Sequence, residues 1–295
     1  MLKINKITKK FDDVKALDNV SAYIKKGTIH GLIGENGAGK TTLLQIVSGI
    51  YRQDDGKILI NNEPVYENNK IKSKIGYVTD NNQFFPYYKV KEIVAFFAGI
   101  YKTFSKDKFN ALNKILNVPD NKRINQLSKG TKMRLSLMLN MSINPELLLL
   151  DEPTSGLDPI AKKEIIDMLI DEVEKNKCTI LISSHHLSEL EKLCDDITIL
   201  NHGKVTYQSS IESIKNNVKK LQVLFEFEPN LSDVNEILKV EKLGSIYYII
   251  TKKYNEEIKE KLIQKGAKLI EEVGISLEEI FIYTNSKKGS EYNAD

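Results

Sequence analysis

The sequence predicts an α/β protein: a mostly parallel sheet with crossover helices, antiparallel strands at its start, a helical insertion, and a small α+β domain after it. Three observations carry this prediction. An apolar strand, a glycine-rich turn and an apolar helix succeed one another across residues 28–50. Residues 147–150, 179–183 and 197–200 are short apolar runs separated by helix-like segments, the pattern of buried parallel strands. Between the two regions the spacing turns helical, with Ile93, Phe96, Phe97, Ile100 and Tyr101 recurring at i, i+3, i+4, i+7 and i+8.

Taken in order, residues 2–9, 20–24 and 28–33 read as strands, a helix starts near Lys40, and residues 57–60 form a strand after an Asp55-Gly56 turn. A helical subdomain follows over about residues 84–145. It carries an aromatic cluster of Phe84, Phe85, Tyr87, Tyr88, Phe96, Phe97, Tyr101 and Phe104, whose spacing reads first as the core of the insertion. The sheet resumes at residue 147 and finishes by about Tyr207. Beyond it, strands over 221–228, 240–243, 246–252 and 268–273, with helices over 232–238 and 255–265, give the order β-α-β-β-α-β of a split-βαβ domain. The expected boundaries are 1–210 for the main domain, 211–285 for the small one and 286–295 for a polar, flexible tail.

With 41% hydrophobic and 28% charged residues over 295 positions, the composition is that of a globular protein with a real core. A net charge of +3, nearly all lysine spread along the chain, gives no footprint for nucleic acid, and none is expected as a partner. Cys178 and Cys194 lack metal-ligand partners at useful spacing, so neither a zinc site nor a disulfide framework is expected. No apolar run is long enough to span a bilayer, and the first residues lack an apolar signal region. These readings point to a cytoplasmic protein.

The densest chemistry lies in Gly34-Glu35-Asn36-Gly37-Ala38-Gly39-Lys40-Thr41, a GxxxxGK[ST] match set between a strand and a helix. Glycines allow the loop to turn its N–H groups onto phosphate oxygens, and the helix N-terminus adds partial positive charge. Lys40 is placed to reach the β- and γ-phosphates of a nucleotide. The Thr41 hydroxyl is a ligand for Mg²⁺, with Thr42 beside it on the first helical turn. A second feature is the leucine run that ends abruptly in Asp151-Glu152. At the carboxyl end of a strand in such a sheet, Asp151 can hold Mg²⁺ and Glu152 can act as the general base on an attacking water.

Together these residues resemble the nucleotide-binding subunit of an ATP-binding-cassette (ABC) transporter, over roughly residues 1–208. Leu127-Ser128-Lys129-Gly130-Thr131 looks like the family's signature loop, Ser155-Gly156-Leu157-Asp158 resembles its D-loop, and Ser183-Ser184-His185 resembles its switch histidine. The resemblance implies a P-loop NTPase cassette in which ATP is sandwiched between one subunit's phosphate loop and the other's signature. Ser128 and Gly130 then offer donors to the γ-phosphate, His185 contacts that phosphate and the attacking water, and Asp158 links the two sites. Phe11 occupies the place of an aromatic that stacks on adenine.

Two departures stand out. The usual LSGGQ signature is LSKGT here. Where the family places a glutamine that contacts Mg²⁺, this chain has Asp80, with Gln83 three residues further on. An aspartate is also a hard oxygen donor, so Asp80 is a candidate third metal contact.

The resemblance implies an ATPase that uses Mg²⁺ and powers transport through a separate membrane permease, as a homodimer or heterodimer of ATP-binding subunits. It is then a peripheral protein on the inner face of the cell membrane, and exposed members of the aromatic cluster line a groove for a permease helix. The GISLEEIFIY ending is similar to cassettes of bacterial exporters of the bacitracin-resistance type, which points to export of a drug, peptide or lipid-like compound. The alternative is a soluble single-cassette ATPase acting in assembly or translation.

Overall fold

A computed structural model describes residues 1–80, 84–252 and 254–285; Gln83 and the 286–295 tail lie outside the described residues. The chain divides into two units, the first made of residues 1–186 and 193–208, the second of residues 187–192 and everything from Ser209 onward.

The first unit opens with β1 (Leu2–Phe11) and β2 (Val14–Ile24), and continues with β3 (Ile29–Ile33), α1 (Lys40–Val47), β4 (Asp55–Ile60), β5 (Glu63–Pro64), α2 (Asn69–Lys72) and β6 (Ile75–Val78). Three helices follow, α3 (Val90–Ile100), α4 (Lys106–Leu116) and α5 (Lys129–Ser142), then β7 (Leu147–Asp151), α6 (Pro159–Asn176) and β8 (Thr179–Ser184). After α7 (Leu187–Leu193) come β9 (Asp196–Asn201) and β10 (Lys204–Ser210).

Strand β2 starts well before residue 20, because β1 and β2 close as a hairpin with Phe11 opposite Val14 and Leu2 opposite Ile24. Asp12 makes the tight turn by taking a left-handed φ of 48°. The small sheet runs β2-β1-β4-β5, and the larger one runs β10-β9-β3-β8-β7-β6. In the larger sheet β3 pairs in parallel with β8 and β9, and β7 pairs in parallel with β8 and β6. Both faces of these central strands are covered, which is why β3, β7 and β8 are buried along their whole length. Leu2, Ile4 and Ile7 of β1 meet Leu43 and Leu44 of α1 and Leu149 of β7 in one apolar core. The register that sets Asp151 beside Ser183 brings two polar groups together at the carboxyl ends of β7 and β8.

The aromatic cluster is not the core of the insertion. In α3 only Val90 and Ile93 are buried, while Phe85, Tyr87, Tyr88 and Phe96 are exposed. Two aliphatic side chains one turn apart already fill the buried stripe, so the rings form a surface chain, with Phe85 edge-on to Phe96 at 6.0 Å and Phe97 stacked on Tyr101 at 5.7 Å.

In the second unit, α8 (Ile211–Asn217), β11 (Lys219–Phe225), β12 (Ile237–Leu243), β13 (Ile246–Thr251), α9 (Glu256–Gln264), β14 (Ala267–Val273) and α10 (Leu277–Asn285) build an antiparallel sheet of order β12-β13-β11-β14. This is the strand order of a split βαβ fold, without its first helix. Residues 232–238 are not helical: the Asn230 Oδ1 accepts from both the N–H and the hydroxyl of Ser232. Short turns then run Val234 N–H to Leu231 O and Ile237 N–H to Val234 O. The asparagine offers the backbone a local partner that competes with a helix. Helix α7 clusters with this unit, where Glu191 accepts the Leu277 N–H at 3.1 Å and pairs with Lys215 at 2.8 Å.

Candidate active site

The loop between β3 and α1 is a backbone device before it is a chemical one. Gly39, the N-cap of α1, has φ 103°, and a Cβ there would stand 2.6 Å from the Ala16 carbonyl oxygen. Gly37, at φ 82°, faces open space. One glycine is demanded by conformation and close approach, the other by conformation alone. The loop thereby leaves the first N–H groups of α1 free of side-chain caps and directed at a cavity of about 500 Å³.

Around that cavity two contact chains meet. In the first, the Thr41 hydroxyl donates to Asp151 Oδ2 at 2.7 Å, and the Ser183 hydroxyl donates to Asp151 Oδ1 at 2.6 Å. In the second, the Lys40 ammonium lies 3.4 Å from Glu152 Oε1, and His185 Nδ1 lies 2.9 Å from Glu152 Oε2. Lys40 is only 6% exposed and folds back to donate to the Gly34 carbonyl at 2.7 Å. Among the described residues Glu152 Oε1, buried beside the Lys40 ammonium, accepts no hydrogen bond. A buried carboxylate oxygen left in that state is poised to accept a proton or a donor from whatever enters. Glu152 also sits at a left-handed φ of 49°, which turns the acid away from the run of β7.

The donor set suits Mg²⁺. Thr41 and Asp151 offer hard oxygens side by side, and Asp80 stands on the same cavity wall. Among the described residues no three His, Cys, Asp or Glu side chains form an ion site by themselves. Mg²⁺ in general keeps several waters and needs only one or two carboxylates beside oxygens of a substrate.

Glu35, Asn36, Gly37, Gly39, Lys40, Thr41, Thr42, Asp80, Asp151 and Glu152 line the cavity together. Gly34 and Ala38 belong to the same loop but not to the cavity wall. Phe11 is not on the wall either; its ring is edge-on to Tyr51 at 5.4 Å. Ser128 is the N-cap of α5, accepting the Thr131 N–H at 3.2 Å, and Gly130 follows two residues later in the first turn. Asp158 caps α6 by accepting from Ile160 and Ala161, each at 3.0 Å, and those N–H groups, Ala161 first, hold its carboxyl below the usual carboxylate range. Neither Ser128 nor Asp158 reaches the cavity within one chain.

Sequence reasoning missed Val14, Lys15, Ala16, His202 and Gly203 on the wall. They come from β2 and the β9–β10 turn and carry no local motif. A second cavity of about 490 Å³ is lined by Tyr77, Phe84, Phe97, Tyr101, Ser136 and Asn140 among others. There the buried Tyr77 hydroxyl has no hydrogen-bond partner among the described residues, and burial pushes its pKa up.

A family model described as ABC transporter matches residues 17–155. The chain is 33% identical over 283 residues to the ABC transporter ATP-binding protein YtrB of Bacillus subtilis, covering 96% of this chain and 97% of that one. It is 34% identical over 245 residues to the bacitracin transport ATP-binding protein BcrA of Bacillus licheniformis, covering 80% and 76%. Among solved structures, a dimeric post-hydrolysis state of the ATP-binding cassette MJ0796 with ADP and Pi superposes with a TM-score of 0.65 at 26% identity, covering 72% of this chain and 99% of that one.

Proposed function

The chain belongs to the ABC transporter ATP-binding family, and from that premise we propose how its residues divide the work. It is an ATPase that binds ATP with Mg²⁺ and powers transport with a membrane permease, as a member of a family whose cassettes dimerise. The reading proposed for the site rests on one observation: Lys40, Glu152 and His185 form one contact chain, and Thr41, Asp151 and Ser183 another, at the mouth of the same phosphate loop.

In this reading the loop N–H groups and Lys40 hold the β- and γ-phosphates, and Lys40 exchanges the Gly34 carbonyl for a phosphate oxygen. Thr41 and Asp151, with Asp80, would hold Mg²⁺, which would supply charge neutralisation to the nucleotide's phosphates. Glu152 takes the proton of the attacking water. His185 holds the Glu152 carboxylate from its outer oxygen and contacts the γ-phosphate. Ser128 and Gly130 act on the nucleotide bound by a second subunit, Asp158 joins the two sites, and Phe11 leaves Tyr51 to stack on adenine. Because a two-fold interface is isologous, a homodimer supplies every part.

Among the described residues no helix is long and apolar enough to cross a membrane, so the transport path belongs to a permease on whose inner face this subunit sits. The groove lined by Tyr77, Phe97 and Tyr101, with exposed Phe85, Tyr87 and Tyr88 nearby in sequence, is where a permease helix docks. Likeness to a bacitracin transport protein supports export of a drug, peptide or lipid-like compound, and supports transport over a soluble role in assembly or translation.

The test is Glu152→Gln in the full chain. Hydrolysis falls by more than a hundredfold, and the protein elutes as an ATP-bound dimer. Pulled from its host in mild detergent, it brings a polytopic membrane protein with it. Wild-type hydrolysis in this variant overturns the base, and recovery with soluble partners alone overturns the permease assignment.

A further inference from the structure

We propose that Ser183 is a positioning residue that sets Asp151 and Glu152 relative to each other, a proposal that rests on the reading of Asp151 as the metal ligand. Ser183 is fully buried on β8, in register with Asp151 on β7. Its hydroxyl does two things at once. It donates to Asp151 Oδ1 at 2.6 Å and accepts the Glu152 N–H at 3.1 Å, while its own carbonyl shares that N–H at 3.2 Å.

A serine hydroxyl has one proton and two lone pairs. An ionised aspartate only accepts, so the proton must go to Asp151 and a lone pair is left for the Glu152 amide. The direction of both bonds is thereby determined. Asp151 is held from one side by Thr41 and from the other by Ser183, one bond per carboxylate oxygen. Thr41 is itself a metal ligand in this reading, so its bond to Asp151 is open to rearrangement on loading. Ser183 is fully buried, is not among the residues lining the cavity, and donates to Oδ1. Partners of this kind orient a ligating carboxylate and are worth about 10- to 100-fold in metal affinity.

The second bond acts on the base. Glu152 holds a left-handed backbone that a residue with a side chain adopts at a cost, and its amide is tied at both the side chain and the carbonyl of residue 183. One buried hydroxyl therefore couples the direction of the metal-holding acid to the turn that presents the catalytic one. The next serine is used differently: Ser184 accepts the His186 N–H at 2.9 Å and shapes the histidine loop.

The experiment titrates Mn²⁺ by electron paramagnetic resonance into the full-length chain loaded with ADP, for the parent, Ser183→Ala, Ser183→Thr and Asp151→Asn. ADP affinity in EDTA and thermal unfolding are measured alongside. Ser183→Ala weakens Mn²⁺ about 10- to 100-fold and leaves metal-free ADP affinity within twofold, and threonine restores most of the loss. If the added methyl of threonine prevents folding, Ser183→Cys replaces it and falls between serine and alanine. An alanine variant that melts earlier but binds Mn²⁺ as the parent does overturns the proposal, as does a folded threonine or cysteine variant no better than alanine. If Asp151→Asn itself leaves Mn²⁺ affinity unchanged, the metal reading of Asp151 has failed; a loss there without one in Ser183→Ala sinks Ser183 alone.

Discussion

Asp80 and Lys129 form an ion pair, with Lys129 Nζ 2.8 Å from Asp80 Oδ1. The aspartate stands on the wall of the nucleotide cavity and the lysine is the first residue of α5, directly after Ser128. Each stands at a position where the chain departs from the usual residue of its family, and in the fold they pair with each other.

Both partners are about half exposed, at 57% and 46%, so the pair contributes no more than about 1 kcal/mol to stability. Asp80→Ala and Lys129→Ala therefore leave the unfolding midpoint in urea nearly unchanged, and the double variant adds little. If Asp80 meets the metal on loading, Asp80→Ala raises the Mg²⁺ concentration for half-maximal hydrolysis severalfold. An unaltered Mg²⁺ titration removes Asp80 from the metal site.

His185→Ala removes the hydrogen bond at Glu152 Oε2 while leaving Lys40 and Thr41 untouched. Hydrolysis falls by about two orders of magnitude, the range for losing a positioned proton-handling partner. ATP affinity, read by equilibrium binding, stays within a few-fold. A variant that loses binding and turnover together points instead to a collapsed site.

The two glycines of the phosphate loop separate conformation from contact. Gly37→Ala meets no atom within 4 Å and bears only the left-handed strain of φ 82°, about 1 kcal/mol. Gly39→Ala adds a Cβ 2.6 Å from the Ala16 carbonyl, so β2 or the loop must move. Nucleotide affinity drops little in the first and by more than tenfold in the second. Equal losses in fluorescence titrations contradict this account.

His30, wholly buried on β3 with Nε2 2.7 Å from the Thr198 hydroxyl, gives the fold a pH limit. Burial pushes its pKa from 6.5 down to about 4, against the attraction of Asp196. Below pH 6.5 the unfolded chain takes up a proton that the folded chain refuses, so stability is full above that value and falls as pH drops toward 4. The loss approaches about 3 kcal/mol for this residue. In His30→Gln, urea unfolding between pH 7 and 4 shows a shallower slope, and a slope equal to the parent's assigns the acid sensitivity to other groups.

What was legible in the sequence was chemistry with short spacing. The loop from Gly34 to Gly39 sits between β3 and α1 because glycines and flanking apolar runs encode that locally, and the Leu147–Asp151 strand ends where its acids begin. Partners brought together by strand register or by packing between distant segments were not legible. Ser183 lies 32 residues from Asp151, and Lys129 lies 49 from Asp80, so neither pairing has a local signal. The helix expected over residues 232–238 failed for the opposite reason. Leu231, Val234 and Ile237 repeat every third residue, and with Asn230 bonding its own neighbourhood the chain settled into single turns. The aromatic run misled because helical spacing tells which residues share a face but not which face is covered.

Helix α7 begins directly after His186, yet its residues 187–192 belong to the second unit, bound there through Glu191 to Leu277 and Lys215. The second unit is therefore not a continuous stretch that can be trimmed or exchanged at residue 208. A chimaera joined there splits Glu191 from both of its partners and leaves the segment following the histidine loop without its anchor. A graft that carries residues 187–192 along with everything from Ser209 onward keeps Glu191 with both Leu277 and Lys215.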